Sequence, residues 1–97
     1  MNVRHAFRGL QFEWDEGKAR TNLKKHGVSF ETACEVFLDP LLVLKDPGDP
    51  DRTSQAVIGE TLDERLLFVV HILRRDEVIR MISARPVTKQ ERREYEG

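Results

Sequence analysis

Ninety-seven residues, 39% of them hydrophobic and 34% charged, make one domain, too short for two cores, too apolar for a disordered chain and too polar for a membrane protein. The longest apolar run, Leu66 to Val70, is strand-sized; a single cysteine, Cys34, excludes an internal disulfide, and only three histidines argue against a structural zinc site. A net charge of −1 hides an uneven distribution, with six Lys/Arg against three Asp/Glu in residues 1–27, two against nine in 28–64 and eight against five in 65–97. Basic ends around an acidic middle can fold into one positive and one negative face, or stay scattered as solvated charge. The basic N-terminus leads into no apolar signal core, so a cytoplasmic location is expected.

The first element is a strand at Phe12-Glu13-Trp14, where apolar and polar residues alternate. Asp15 then caps a helix through Lys18, Ala19, Asn22, Leu23 and His26, which Gly27 ends. Ser29 caps a second helix whose Phe30, Ala33, Cys34 and Phe37 form one apolar stripe, stopped by Asp39-Pro40. Short strands follow at Leu41–Leu44 and Gln55–Gly59, around a loop at Asp46–Asp51. The strongest strands, Leu66–Leu73 and Val78–Ala84, form a hairpin through Arg74-Arg75-Asp76-Glu77, and Thr88 caps a last helix from Lys89 to Tyr95. The expected fold is α+β, an antiparallel sheet with helices packed on it in the order β-α-α-β-β-β-β-α.

A hairpin symmetric about Arg75-Asp76 sets His71 opposite Arg80 on one face and puts Arg85 on the other. An imidazole beside a guanidinium on a mostly apolar face is a candidate anion site. The alternative is structural, with Arg80 paired to a carboxylate and His71 a half-buried strand residue.

Phe12-Glu13-Trp14-Asp15, Lys18, Asn22, Lys25-His26-Gly27, Val28-Ser29-Phe30-Glu31, Ala33, Val36-Phe37 and Asp39-Pro40 resemble the opening signature of the BrnT toxin family. Asp51-Arg52 and Gly59 look like its middle, and Arg80-Met81-Ile82-Ser83-Ala84-Arg85, Thr88, Glu91-Arg92 and Tyr95 like its ending. The chain departs from the family pattern at Ile72 and Pro86, and residues 1–11 form an N-terminal extension to a single domain over residues 12–97. The resemblance implies a RelE-like fold and a type II toxin-antitoxin toxin, a ribonuclease that blocks translation by cleaving RNA. It also implies neutralisation by a cognate BrnA-like, DNA-binding antitoxin in a complex of two toxins and two antitoxins, which reaches operator DNA only through the antitoxin. No membrane partner is implied.

A metal-independent ribonuclease needs a base for the ribose 2′-hydroxyl, positive charge on the phosphate in the transition state and a proton donor for the leaving oxygen; no cofactor is expected. Here His26 and His71 are candidates for proton transfer, and Lys25 and Arg80 for the phosphate. Arg52 and Arg85 are candidates for RNA binding by charge, and Trp14 and Tyr95 by base stacking. Each has a plainer role open to it: Trp14 as a core staple, Tyr95 and Arg85 as anchors of the last helix, Lys25 and His26 as helix-end charges. The competing function is a non-catalytic module whose apolar groove only receives a partner chain.

Overall fold

The computed structural model describes all of residues 1–97. Strand β1 (Asn2–Phe7) and β2 (Leu10–Asp15) precede helix α1 (Glu16–His26) and the short helix α2 (Phe30–Ala33), which tightens into a 3₁₀ turn at Cys34–Leu38. Then come β3 (Val43–Lys45), β4 (Gln55–Glu60), β5 (Leu66–Leu73), β6 (Ile79–Pro86) and α3 (Lys89–Glu96). The six strands form one sheet in the order β1-β2-β6-β5-β4-β3, antiparallel except for a two-residue parallel pairing of β2 with β6, its second and third strands.

The expected order lacks one strand. Residues 1–11 supply β1 and the start of β2, paired from Asn2 with Asp15 to Phe7 with Leu10. Arg8 and Gly9 turn the chain with positive φ at both positions, the geometry that a two-residue hairpin demands. Arginine is not one of the residues that announce such a turn, which is why the alternation before it reads as an appendage.

Helix α1 follows its capping chemistry. Asp15 accepts from the Lys18 N–H at 3.0 Å, Gly27 takes a left-handed φ of 70°, and its N–H closes on the Leu23 carbonyl. Helices α1 and α2 cover one face of the sheet, the inner face, over Phe12, Trp14, Val28, Phe30, Ala33, Cys34, Val36, Val57, Leu67, Val69, Ile79, Met81 and Ala84. Gly59 is obligatory here, because a Cβ on it would lie 2.7 Å from that of Val36. Helix α3 and the residues leading into it cover part of the outer face, over Ala56, Ile58 and Phe68, through Tyr95 and Val87.

The β5–β6 register departs from the symmetric hairpin in two ways. Glu77 adopts a positive φ and its N–H donates to the Arg74 carbonyl, so the turn centres on Asp76 and His71 pairs with Met81. Between the pairs His71–Met81 and Val70–Ser83 a bulge leaves Ile82 unopposed. Arg80 consequently faces Ile72, not His71, and Arg85 faces Phe68, so both arginines stand on the outer face. The expected pairing of His71 with Arg80, and the separation of Arg80 from Arg85, are both corrected.

Asn22 fixes this bulge. Its buried side-chain amide donates to the Ala84 carbonyl at 2.8 Å and to the Val28 carbonyl at 3.0 Å, and its Oδ1 accepts from the Ala84 N–H at 3.0 Å. Replacing Asn22 with Ala strands three buried backbone groups, and a loss on the order of 3 kcal/mol is expected in urea unfolding. A loss no larger than that of an exposed α1 substitution would contradict this role.

Candidate functional site

After Glu13 pairs with Arg80, β2 parts from β6 and α1 takes over the flank of β6. The edge of β6 at Ile82 and Ser83 therefore meets a helix face in place of a strand. Lys18, Thr21, Asn22, Lys25 and His26 recur at helical spacing and share that face. Together with Asp15, Gly17, Ile82 and Ser83 they line an open cleft of about 490 Å³. Lys18 and Lys25 are exposed and His26 half-buried at its wall.

Beside the cleft, Arg4, Glu13, Arg80 and Ile72 stand in one row across β1, β2, β6 and β5 on the outer face. The Glu13 carboxylate is buried, and Arg80 donates to it at 2.9 Å and to Asn2 Oδ1 at 2.8 Å. Arg74, just past β5, approaches the same carboxylate at 3.7 Å and Arg4 at 3.5 Å. The strand order also sorts charge. The basic N-terminal segment and β6 lie together, whereas the acidic middle builds α2, β3 and β4.

Of the residues singled out in the sequence, Lys25 and His26 share the cleft and Arg80 stands beside it. His71 does not join them. It lies in the core at 5% exposure, edge-on to Phe37 with ring centroids 4.8 Å apart and Nδ1 unpartnered; burial pushes its pKa down, so it is held neutral. Proton exchange with a substrate from that position is closed off.

Trp14 is likewise buried, packed edge-on against Phe30 and tilted against His5, so it has no face to offer a base. Tyr95 donates its hydroxyl to Asp39 at 2.6 Å and docks α3; that bond raises the phenol to about 12 and keeps it protonated. Arg85 is stacked on Phe68 and bound through both terminal nitrogens to Glu91, anchoring the start of α3. Arg52 lies in the β3–β4 loop, where Asp49 accepts from the backbone of Asp51, Thr53 and Ser54 and from the Thr53 and Ser54 hydroxyls, among acidic neighbours. Stacking by Trp14 and Tyr95 is thus replaced by core packing and helix docking.

Lys18 and Ser83 also line the cleft and are not among the residues that the sequence singles out as candidates. The spacing of Lys18, Thr21 and Lys25 in α1 carries the first, but the bulge that presents Ser83 has no signature in the sequence.

These features define a class: a small α+β protein with a basic, hydroxyl-bearing cleft where a helix replaces a strand at the middle of its sheet. The particular family follows from comparison. Residues 14–91 match the family model described as ribonuclease toxin, BrnT, of type II toxin-antitoxin systems, and the chain belongs to that family. The fold is similar to the crystal structure of the Brucella abortus ribonuclease toxin BrnT, with a TM-score of 0.64 and 27% sequence identity over 78% of this chain and 94% of that one. No curated protein sequence matches this chain. Both strands of the β1–β2 hairpin, up to Glu13, precede the matched residues, and no helix is long and apolar enough to cross a membrane.

The buried imidazole has a consequence for stability. The unfolded chain takes up a proton at His71 below about pH 6.5, and the folded core resists it, so folding is weakened as pH falls through that value. Between pH 7.5 and 5.5 the wild-type melting temperature is expected to drop more than that of His71→Leu. Equal drops would contradict a neutral, buried His71.

Proposed function

We propose that this protein is a metal-independent endoribonuclease that arrests translation by cutting RNA at the α1–β6 cleft. The observation that carries the reading is that α1 sets Lys18, Lys25 and His26 on one face against Ser83 of the bulged β6, the strand that also carries Arg80. In a chain of the ribonuclease toxin family, this gathers a proton-transfer group, cations and a hydroxyl at a single accessible place.

In this mechanism the scissile phosphate sits at the mouth of the cleft. His26 moves the proton, taking it from the 2′-hydroxyl or giving it to the 5′ leaving oxygen, since imidazole is the side chain suited to both near neutrality. Lys18 and Lys25 compensate the charge that builds on the phosphate oxygens, and the Ser83 hydroxyl donates a hydrogen bond. Arg80 spends one terminal nitrogen on Glu13 and Asn2, and its remaining N–H groups are available for a phosphate oxygen.

Inhibition follows from the same surface. A cognate antitoxin that covers the cleft and the arginine row excludes RNA sterically, and a DNA-binding antitoxin dimer recruiting two toxins gives a complex of two copies each. The apolar groove at Trp14, Ala19, Leu23 and Phe30 lies on the other flank of α1, so a partner seated only there leaves the cleft open.

Cleavage of a defined RNA by purified protein in chelator tests the reading. His26→Gln is expected to slow cleavage on the order of 100-fold or more. Arg80→Lys, which keeps a cation against Glu13 but loses the planar fork, is expected to cost a similar factor while the protein stays folded. Full activity in His26→Gln would remove His26 from the reaction, and absence of cleavage by the wild type in any buffer would favour the partner-docking module.

A further inference from the structure

The row beside the cleft contains more arginine than its structural role uses. One buried carboxylate, Glu13, has three guanidinium groups within 3.7 Å, drawn from β1, the end of β5 and β6. Three positive charges against one negative leave a local excess of two, held on an otherwise half-open sheet face. Arg80 alone satisfies the carboxylate by a short hydrogen bond, whereas Arg4 and Arg74 stand off at 3.5 and 3.7 Å with side chains 64% and 52% exposed. Exposed pairs of this kind add little to stability, so folding does not account for gathering them. An open recess lined by Leu73, Arg74, Arg75 and Asp76 adjoins Arg74.

Like charges brought this close repel one another unless a counter-charge sits among them. Glu13 provides it from below the surface, in the manner of a floor, and leaves the upper side of the cluster cationic. Such a site suits an anion whose oxygens are met by several forks at once, as in a phosphodiester. Carboxylate ligands would fit the charge as well, but the strand that must pass the neighbouring cleft carries a phosphate on either side of the one being cut.

We propose that Arg4 and Arg74, held by Glu13 on either side of Arg80, form a phosphate subsite that grips the RNA backbone one or more nucleotides away from the scissile bond. The inference rests on the ribonuclease reading above. Arg4 belongs to β1, so the strand that precedes the family match contributes to substrate binding. Both arginines bind RNA and take no part in bond breaking. Their removal weakens association and leaves turnover at saturating RNA unchanged.

The test uses a fluorescent 2′-O-methyl RNA, which binds but cannot be cut, titrated with wild-type protein, Arg4→Ala, Arg74→Ala and the double variant over a range of salt. Arg20→Ala, on the opposite flank of α1 and paired with Glu16, is the charge-matched control. Each subsite substitution is expected to reduce the slope of log affinity against log salt by about 0.7 and to weaken binding about fivefold at 0.1 M salt. The double variant should lose both increments, with kcat on cleavable RNA and melting temperature close to those of Arg20→Ala. Slopes equal to the control, alongside wild-type RNA cleavage, overturn the subsite and leave the ribonuclease reading standing. Absence of RNA binding by the wild type at every salt concentration overturns both.

Discussion

The amide of Asn22 closes the flank of β6 as a neighbouring strand would, giving one acceptor and one donor to the two backbone groups of Ala84. Where β2 turns away, those groups would otherwise be orphaned in a protein interior, at a cost of about 1–3 kcal/mol each. The constraint reaches further than its own bonds. It holds α1 against β6 and keeps the bulge at Ile82, and the bulge decides which side chains of β6 face outward. Without the extra residue, Arg80 and Arg85 would stand on opposite faces and Ser83 would not share a face with Arg80. The cleft exists because a helix replaces a strand there, and a single side chain makes that replacement tolerable.

Two carboxylates then divide the arginines of β6 between tasks. Glu91, at the third position of α3, binds Arg85 through both its terminal nitrogens while completing a capping box with Thr88. Arg85 is thereby consumed in docking a helix that has no buried residue of its own, helped by Tyr95 on Asp39 and by Lys45 paired with Glu94. Glu13 binds Arg80 through one nitrogen only and collects Arg4 and Arg74 around it. Arg85 commits both terminal nitrogens to its carboxylate, whereas Arg80 commits one and keeps the other without a protein partner. The two stand five residues apart on one strand and differ in how many donors they keep.

Most of the architecture was legible in local chemistry. Asp15 and Gly27 bound α1, Ser29 starts α2, Thr88 with Glu91 starts α3, and the β-branched runs gave β5 and β6 to within two residues. What escaped was non-local or rested on unusual backbone. Arg8 and Glu77 adopt positive φ without being glycine or asparagine, hiding β1 in one case and shifting a hairpin register in the other. That one-residue shift turned Arg80 to the face opposite His71, and the expected anion site was lost. The aromatic candidates failed for a related reason: the core takes Trp14 and docking on Asp39 takes Tyr95, and nothing local in a sequence says which side of a sheet remains exposed. Lys25 and His26 could be placed because capping fixes α1 so firmly.

An RNA substrate held as proposed lies across the outer face where α1 meets the bulged β6. Backbone and side-chain chemical shifts of the labelled protein, followed during titration with a short 2′-O-methyl RNA, test this placement most directly. The largest changes are expected at Lys18, Lys25, His26, Arg80 and Ser83, spreading to Arg4 and Arg74. Changes confined to α2, β3 and the Asp49 loop, with the cleft resonances unmoved, would contradict it.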